Sequence, residues 1–296
     1  MNGILCINKP QEYTSFDVVA RIRGMSKTKR VGHSGTLDPL ATGVLPVFIG
    51  NATKACDMLP TDDKHYVATF KLGVSTDTLD VSGTVLSTKE SNVKTEDILS
   101  LLPQFRGEIE QIPPMYSAIR VNGQRLYDIA RQGIVIDRAS RKVTIFKLEL
   151  LSFDEEKQEG TLFVFCSKGT YIRTIISDIG DKLNVGGIMT ELVRTVASVF
   201  KLEDCITLEQ AQELTLTGKL EEYLMPVDKI FHHLPKIMLN EIQSQKYRNG
   251  VKLDLKRVIY QDVDSLHRVY DYNKVFMGLA RLNLDKMELI IEKMFV

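Results

Sequence analysis

Tryptophan is absent from the 296 residues of this sequence, and cysteine is scarce. The four cysteines form no C-x-x-C pair and stand at positions Cys6, Cys56, Cys166 and Cys205. Residues 1–10 have the pattern of a short strand followed by polar residues, not that of a secretory leader. These features predict a protein of the reducing cytoplasm.

Long hydrophobic runs are also missing. A helix that spans a bilayer needs about 20 apolar residues, whereas the longest apolar run here, residues 44–49, contains Pro46. The sequence therefore excludes a transmembrane helix.

An excess of charge of one sign is missing too, because 38 Lys and Arg balance 38 Asp and Glu. Any affinity for a polyanion must then come from where the charges lie on the surface.

Motifs that would indicate a nucleotide, a metal or a hydrolase are absent. The sequence contains neither GxxxxGK[ST] nor GxGxxG, and no serine lies in a G-x-S-x-G elbow. Its five histidines are not clustered with cysteines or carboxylates, apart from the adjacent pair His232 and His233. We therefore expect no metal and no cofactor.

What is present is the composition of an ordinary globular chain, with 44% hydrophobic and 26% charged residues. A chain of this length has room for about two domains. Strand and helix patterns are interleaved without a regular βαβ period, which favours an α+β fold with a mixed, largely antiparallel sheet. After Pro226 and Pro235 the pattern changes to short strands separated by polar turns. We predict a first domain of residues 1–230 and a small β-rich domain of residues 231–296.

Local patterns predict the first elements of the chain. Residues 4–7 predict a buried strand. A helix follows, capped by Thr14 or Ser15 and stopped at Gly24. The apolar face of this helix consists of Phe16, Val18, Val19 and Ile22.

Residues 111–133 do not follow the surrounding pattern. Pro113 and Pro114 break the chain, and the pair Asn122-Gly123 is a strong signal for a β-hairpin turn. This segment is predicted to be an insertion.

Positive charge is concentrated in two segments. Residues 18–37 contain no acidic residue and five basic ones, Arg21, Arg23, Lys27, Lys29 and Arg30. Residues 115–147 contain seven basic residues, Arg120, Arg125, Arg131, Arg138, Arg141, Lys142 and Lys147. Such segments are either solvated faces or surfaces that face the phosphates of a nucleic acid.

Asp38 lies at the centre of a loop, residues 31–44, that is rich in Gly, Ser, Thr and Pro between two apolar runs. This pattern is typical of an ordered functional loop. A carboxylate on a short turn bounded by glycines can act as a nucleophile or as an acid or base, although an Asp-Pro pair is also a common turn former. Additional polar side chains in the loop are His33, Ser34, Thr36 and Thr42.

The loop resembles that of a known family. Residues 32–46, GHSGTLDPLATGVLP, are similar to the signature loop of the bacterial tRNA pseudouridine-55 synthases, the TruB family, which isomerise a uridine in the T-loop of tRNA. Further similar segments follow the family's order at residues 9–10 (KP), 64–66 (KHY), 72–83 (LGVSTDTLDVSG), 113–118 (PPMYSA), 126–131 (LYDIAR) and 166–173 (CSKGTYIR). The sequence departs from the family pattern at Ile188, where histidine is frequent, and at Val193-Arg194, where two arginines are frequent.

The resemblance implies roles for individual residues. Asp38 would attack the target nucleoside, at C1′ of the ribose or at C6 of the base, and Arg173 would pair with it and favour its ionised form. Tyr66 would stack on the flipped uracil, and Tyr171 would lie beside the ribose as a candidate general base. His33 would fill the gap that the flipped base leaves. The further substrate-binding residues that the resemblance implies are Lys9, Lys64 and Leu192.

The resemblance also implies a pseudouridine-synthase fold, with residues 111–133 as a clamp over RNA and residues 231–296 as a PUA-like domain. The RNA backbone is expected to contact Arg21, Arg23, Arg125 and Arg131. The expected partner is the T-arm of tRNA, with no protein partner required and the chain a monomer. Because the reaction moves a glycosidic bond within one nucleotide, it requires no cofactor.

Alternative functions stay open at the level of sequence. A non-catalytic tRNA-binding or folding protein could have the same motifs, and the same isomerisation could occur on another RNA such as rRNA. A phosphatase with an Asp nucleophile is disfavoured, because the residues after Asp38 do not supply the second carboxylate of a D-x-D-x-T loop.

Overall fold

The computed structural model describes residues 1–121, 123–261 and 265–296. Its strands are β1 (Gly3–Lys9), β2 (Val31–His33), β3 (Thr42–Ile49), β4 (Lys64–Leu72), β5 (Val74–Thr76), β6 (Val85–Thr88), β7 (Gly107–Gln111), β8 (Arg120–Val121), β9 (Gln124–Arg125), β10 (Arg141–Asp154), β11 (Glu159–Cys166), β12 (Gly187–Ala197), β13 (Phe200–Lys201), β14 (Lys236–Met238), β15 (Leu253–Asp254), β16 (His267–Tyr270), β17 (Phe276–Asn283) and β18 (Glu288–Met294). Its α-helices are α1 (Ser15–Ser26), α2 (Thr95–Leu101), α3 (Leu126–Ala130), α4 (Ile172–Lys182), α5 (Leu208–Leu216) and α6 (Glu241–Arg248). Short 3-10 helices cover Gly50–Ala55, Leu102–Phe105, Leu202–Asp204, Leu220–Tyr223, Val227–Phe231 and Leu255–Arg257.

A large sheet forms the main part of the molecule. Its strand order is β1, β3, β12, β4, β11, β10, β7, with β2 also paired to β3 and β13 to β12. The β12–β3 pair is parallel, and the other pairs of this sheet are antiparallel. The predicted α+β fold with a mixed, largely antiparallel sheet is confirmed.

β1 lies between two hydrophobic cores, which explains its continuous apolar sequence. Ile4 and Cys6 face a core that also contains residues of the C-terminal part of the chain. Leu5 and Ile7 face the opposite way, into a core formed with α1 and α5. The predicted buried strand is therefore confirmed, and Lys9 is its last residue.

β4 is buried on one face only, as an alternating strand should be. Tyr66, Ala68, Phe70 and Leu72 pack into one core together with the apolar residues of α4. This register places the Tyr66 ring on the side of the sheet that α4 covers.

α1 begins where the sequence predicts but ends later. Thr14 is its N-cap and accepts a hydrogen bond from the backbone N–H of Asp17. The helix continues through Gly24 and ends at Ser26, with Lys27 in the left-handed conformation. The prediction that Phe16 belongs to the apolar face is wrong, because the helix turns its buried stripe elsewhere and leaves this ring 67% exposed.

The insertion of residues 111–133 is a separate small unit. β8 and β9 form a hairpin, and α3 follows directly. Met115, Leu126 and Ile129 make a core of their own. The hairpin is as predicted, while Asn122 of its turn lies outside the described residues.

The C-terminal part forms a second sheet, with strand order β14, β16, β17, β18, β15. It has its own core, which includes Tyr247 of α6 and Val269 of β16. Phe231, Leu279 and Phe295 join the core on which Ile4 and Cys6 of β1 also pack. The two sheets are therefore connected by shared apolar packing. The PUA-like character of residues 231–296 stays a prediction.

We predict that Phe295→Ala lowers the free energy of unfolding by about 3–5 kcal/mol. The ring is 2% exposed and packs against Phe231 and Phe276, with centroid distances of 6.1 and 5.5 Å. Urea unfolding followed by circular dichroism measures the loss. Phe16→Ala is the matched control, because the same truncation of an exposed ring should change stability by no more than about 0.5 kcal/mol. Equal losses in the two variants would contradict the shared core.

Candidate active site

The loop that carries Asp38 connects β2 to β3 and is fixed by the connection between β1 and α1. The Ser15 hydroxyl accepts a hydrogen bond from the backbone N–H of Leu37 at 2.9 Å. The backbone N–H of Glu12 donates to the carbonyl of Pro39, also at 2.9 Å. Both neighbours of Asp38 are thus anchored, so the position of its carboxylate is set before a substrate arrives.

Lys9 supports the same loop from inside the protein. Its Nζ donates to the carbonyl oxygens of Pro10, Tyr13 and Pro39 at 2.8, 2.6 and 3.3 Å, and the residue is 0% exposed. All three ammonium donors are used. Burial lowers the pKa of Lys9 to about 8. With these three hydrogen bonds Lys9 supports the loop, and its contact with the substrate stays a prediction.

Arg173 of α4 forms the central ion pair. Its Nη2 lies 2.8 Å from Oδ2 of Asp38, and its Nη1 lies 3.4 Å from Oδ2 of Asp80. The guanidinium also donates to the carbonyls of Thr78 and Tyr116 at 2.9 and 3.0 Å. The Arg173 side chain is 5% exposed and that of Asp38 is 40% exposed. The predicted pairing of Asp38 with Arg173 is confirmed. The carboxylate of Asp38 is the member of the pair that solvent reaches.

Asp80 is a member of the site that the sequence reasoning missed. It lies in the segment LGVSTDTLDVSG, but nothing in that pattern distinguishes it from other turn aspartates. Its Oδ1 accepts hydrogen bonds from the Thr78 hydroxyl at 2.7 Å and from the backbone N–H of Ser82 at 3.0 Å. Since these bonds fix the buried carboxylate, Asp80 holds Arg173 from the side opposite to Asp38.

A cavity of about 90 Å³ opens beside Asp38. Its lining consists of Thr36, Leu37, Asp38, Tyr66, Thr170, Tyr171, Ile172, Arg173 and Leu192. The structure therefore brings together Asp38, Tyr66, Tyr171, Arg173 and Leu192, which sequence reasoning proposed as neighbours. A larger cavity of about 800 Å³ lies between the insertion and α4, and its lining does not include Asp38.

The two tyrosines differ in their surroundings. Tyr66 is buried in β4, and burial raises its pKa to about 12, against an opposing effect of the Arg194 charge. Burial also raises the pKa of Tyr171, and the charge of Asp38 acts in the same direction. Both phenols are therefore protonated near neutral pH. The charge of Arg173 acts in the opposite direction on the pKa of Tyr171 and does not reverse the shift.

Gln111 is a second residue that sequence reasoning missed. It is 2% exposed, and its side-chain Oε1 accepts from the backbone N–H of Tyr171 at 3.0 Å. Its Nε2 donates to the Tyr171 carbonyl at 3.2 Å. These two hydrogen bonds fix the backbone of Tyr171, the residue that precedes α4. They also connect the end of β7 to the lining of the cavity.

His33 and Lys64 lie next to the loop rather than in the cavity lining. Burial, and then the charge of Arg194, lower the pKa of His33, so its half-buried ring is neutral at pH 7. Lys64 donates to the carbonyl of Asp62 at 2.6 Å. Burial, with Arg194 again contributing, lowers the pKa of Lys64. A neutral imidazole suits the stacking role that the family resemblance implies for His33.

The four arginines predicted to contact the RNA backbone are exposed and lie on two separate elements. Arg21 and Arg23 are on α1. Arg125 and Arg131 lie over the same ring, that of Tyr127, at 5.7 and 5.5 Å from its centroid. Their contact with RNA stays a prediction.

The described part of the chain offers neither a cluster of metal ligands nor a helix that could span a membrane. In the ranges 1–121, 123–261 and 265–296, no group of three His, Cys, Asp or Glu side chains is placed to hold a metal ion. Across the same ranges no helix is both long and apolar enough to span a bilayer.

Two family models match the chain. One describes the N-terminal domain of TruB family pseudouridylate synthases and matches residues 23–172. The other describes the C-terminal domain of tRNA pseudouridylate synthase B and matches residues 173–232. The chain belongs to the TruB family of pseudouridylate synthases. The second matched segment includes β12, so it contributes to the large sheet rather than forming a unit of its own.

Proteins named tRNA pseudouridine synthase B are similar to the chain over its full length. The protein from Clostridium kluyveri is 41% identical over 297 residues, which cover 100% of both chains. The protein from Clostridium perfringens is 43% identical over 299 residues, which cover 100% of this chain and 99% of that one. Among solved structures, a chain from the Cbf5-Nop10-Gar1 complex aligns with a TM-score of 0.71 and 26% identity, over 99% of this chain and 85% of that chain. The predicted pseudouridine-synthase fold is confirmed.

We predict that Asp80→Ala lowers the free energy of unfolding by about 3 kcal/mol, because it removes one of the two carboxylates that neutralise the buried guanidinium of Arg173. Chemical unfolding measures the change. Glu159→Ala is the control, since its pair with Lys71 at 2.8 Å has both side chains 42% exposed and should contribute no more than about 1 kcal/mol. A loss at Asp80 as small as that at Glu159 would show that Arg173 does not depend on this partner.

Proposed function

We propose that the chain converts a uridine of tRNA into pseudouridine, and that its target is the T-loop uridine at position 55. Its relatives in Clostridium kluyveri and Clostridium perfringens are named tRNA pseudouridine synthase B. The observation that carries the proposal is the ion pair of Asp38 and Arg173 at the mouth of a cavity lined by two tyrosines. That arrangement supplies a carboxylate nucleophile beside surfaces that can hold a planar base.

Asp38 is the proposed nucleophile. The ion pair with Arg173 orients the carboxylate, and the 40% exposure of the side chain leaves it accessible to a nucleoside. The carboxylate attacks C1′ of the ribose or C6 of the base. In either case the bond between C1′ and N1 breaks, a bond between C1′ and C5 forms, and the bond that the Asp38 carboxylate made to C1′ or C6 breaks again, which restores the free carboxylate. The proton lost from C5 is balanced by one gained at N1. Substrate and product are isomers, so no second reactant is consumed.

A uridine that remains stacked in an RNA loop cannot present C1′ or C6 to the Asp38 carboxylate, so the nucleotide must be extruded. Extruding the nucleotide costs a few kcal/mol, which stacking and hydrogen bonds in the pocket must offset. Tyr66 is proposed to stack on the extruded uracil and Leu192 to line the pocket around it. The neutral His33 ring is proposed to occupy the gap left in the RNA.

Tyr171 is proposed to lie beside the ribose as a general base. Its raised pKa works against that role in the free protein, because the phenol must lose its proton before it can accept another. The hydrogen bonds from Gln111 fix its backbone, which supports a role that depends on position.

Binding of the tRNA T-arm is proposed to involve the insertion and α1. Residues 111–133 act as a clamp, with Arg125 and Arg131 on the RNA backbone, while Arg21 and Arg23 contact phosphates from the other element. Such contacts give affinity that falls with salt. Residues 231–296 are proposed to be a PUA-like RNA-binding domain.

The chain is further proposed to act as a monomer in the cytoplasm, without a protein partner.

The test is pseudouridine formation in unmodified tRNA by the purified chain. The wild type should place pseudouridine in the T-loop at position 55. Asp38→Asn should abolish formation and leave tRNA affinity within about tenfold, because one neutral side chain replaces one carboxylate among many phosphate contacts. Single-turnover assays and filter binding measure the two effects. Binding without any conversion by the wild type would instead favour the non-catalytic tRNA-binding function.

The two tyrosines should respond differently to loss of the hydroxyl. Tyr66→Phe should keep much of the activity, since stacking uses only the ring. Tyr171→Phe should lower the single-turnover rate by about 10²–10⁴-fold with little change in tRNA binding, if the phenol transfers a proton in the rate-limiting step. A Tyr171→Phe rate within a few-fold of wild type would make Tyr171 a packing residue.

A further inference from the structure

Arg194 of β12 is a fully buried cation that the resemblance left without a role. It is 0% exposed. Its Nε donates to the carbonyl of Val44 and its Nη2 to the carbonyl of Gly35, both at 2.8 Å. No carboxylate among the described residues neutralises it. Enclosing a charge in this way is costly unless its donors are well used.

The two carbonyls that Arg194 binds lie on either side of Asp38 in the chain. Gly35 lies three residues before Asp38, and Val44 lies in the buried part of β3. One planar guanidinium therefore fixes the distance between the two ends of the loop. An arginine does this better than a lysine, because its N–H donors are held in a rigid plane.

The backbone around Arg194 adds a second constraint. Arg194 is the parallel partner of Gly43, and a Cβ on Gly43 would lie 2.2 Å from the Arg194 carbonyl oxygen. Gly43 also has φ of +101°, where glycine is strongly favoured. The loop can approach β12 this closely only with glycine at that position. On its other side Arg194 is the antiparallel partner of Tyr66.

The third nitrogen of the guanidinium, Nη1, lies next to the loop at Gly35. Nη1 is buried and has no hydrogen-bond partner in the described structure. A Cβ on Gly35 would lie 3.1 Å from it. The side chain thus touches the loop at Gly35 and Val44 and lies beside Tyr66, so it connects the nucleophile's loop to the proposed uracil-stacking ring.

We infer that Arg194 is a positioning residue for catalysis, which sets the path of residues 35–44 and so the placement of Asp38 against Arg173 and Tyr66. This inference rests on the proposed function. Arg194 does not touch substrate in this scheme. Its removal should misplace the reacting groups, and a displacement of about 1 Å can cost on the order of 10²-fold in rate.

Arg268 of β16 provides a matched control. It is also buried, 7% exposed, and also donates to backbone carbonyls, with Nε to Leu234 at 3.0 Å and Nη2 to His232 at 3.0 Å. It lies in the C-terminal sheet, away from the cavity lining. Substitution at either position removes a guanidinium that binds carbonyls, so a general loss of stability should occur in both.

The experiment compares Arg194→Lys, Arg194→Met and Arg268→Lys with the wild type in thermal unfolding, tRNA affinity and single-turnover rate at saturating tRNA. Both lysine variants should melt at lower temperature. Arg194→Lys should lose about 10–100-fold in rate with affinity within about threefold, and Arg194→Met should lose more. Arg268→Lys should keep its rate. A rate for Arg194→Lys within about threefold of wild type, or an equal loss in Arg268→Lys, would overturn the inference.

Hydrogen exchange gives a readout that does not need turnover. The amide of Ala41 donates to the Asp38 carbonyl, and the amide of Leu37 donates to Ser15. Both should exchange faster in Arg194→Lys than in Arg268→Lys. Unchanged exchange would overturn the inference. A wild type that forms no pseudouridine would instead refute the proposed function. The hydrogen-exchange comparison of Arg194→Lys with Arg268→Lys would still decide whether Arg194 holds the loop.

Discussion

One guanidinium shared by two carboxylates organises this site. Arg173 can be held inside the protein because Asp38 and Asp80 neutralise it and two carbonyls accept its other hydrogen bonds. Those four partners come from the loop between β2 and β3, the turn after β5 and the insertion. A single side chain on α4 therefore determines where these segments meet, and the same contact positions the Asp38 carboxylate.

Backbone carbonyls, rather than acidic side chains, hold the other buried cations near the loop. Lys9 binds three carbonyls and Arg194 binds two. A carbonyl dipole satisfies a cation without adding a formal negative charge. The surroundings of Asp38 therefore keep a positive balance, which suits the approach of a polyanion even though the chain as a whole is neutral.

Sequence patterns predicted the parts of this structure that depend on near neighbours. The buried strand β1, the cap at Thr14, the hairpin in residues 111–133 and the loop around Asp38 all depend on local patterns. Phe16 was misassigned because tertiary packing decides which stripe of a helix is buried. Asp80 and Arg194 were missed for a related reason. Arg173 reaches a carbonyl 95 residues away, and Arg194 reaches one 159 residues away, so neither partnership has a local signal.

Both faces of β1 are buried, each in a different hydrophobic core, and this affects how the molecule unfolds. One face of this strand supports the small sheet through Ile4 and Cys6, and its last residue, Lys9, binds the carbonyl of Pro39 next to Asp38. Melting the small sheet would expose apolar side chains in a strand of the large one. The chain should consequently lose its structure in one cooperative transition. Exchanging the C-terminal region for an unrelated module would require a redesigned face on β1.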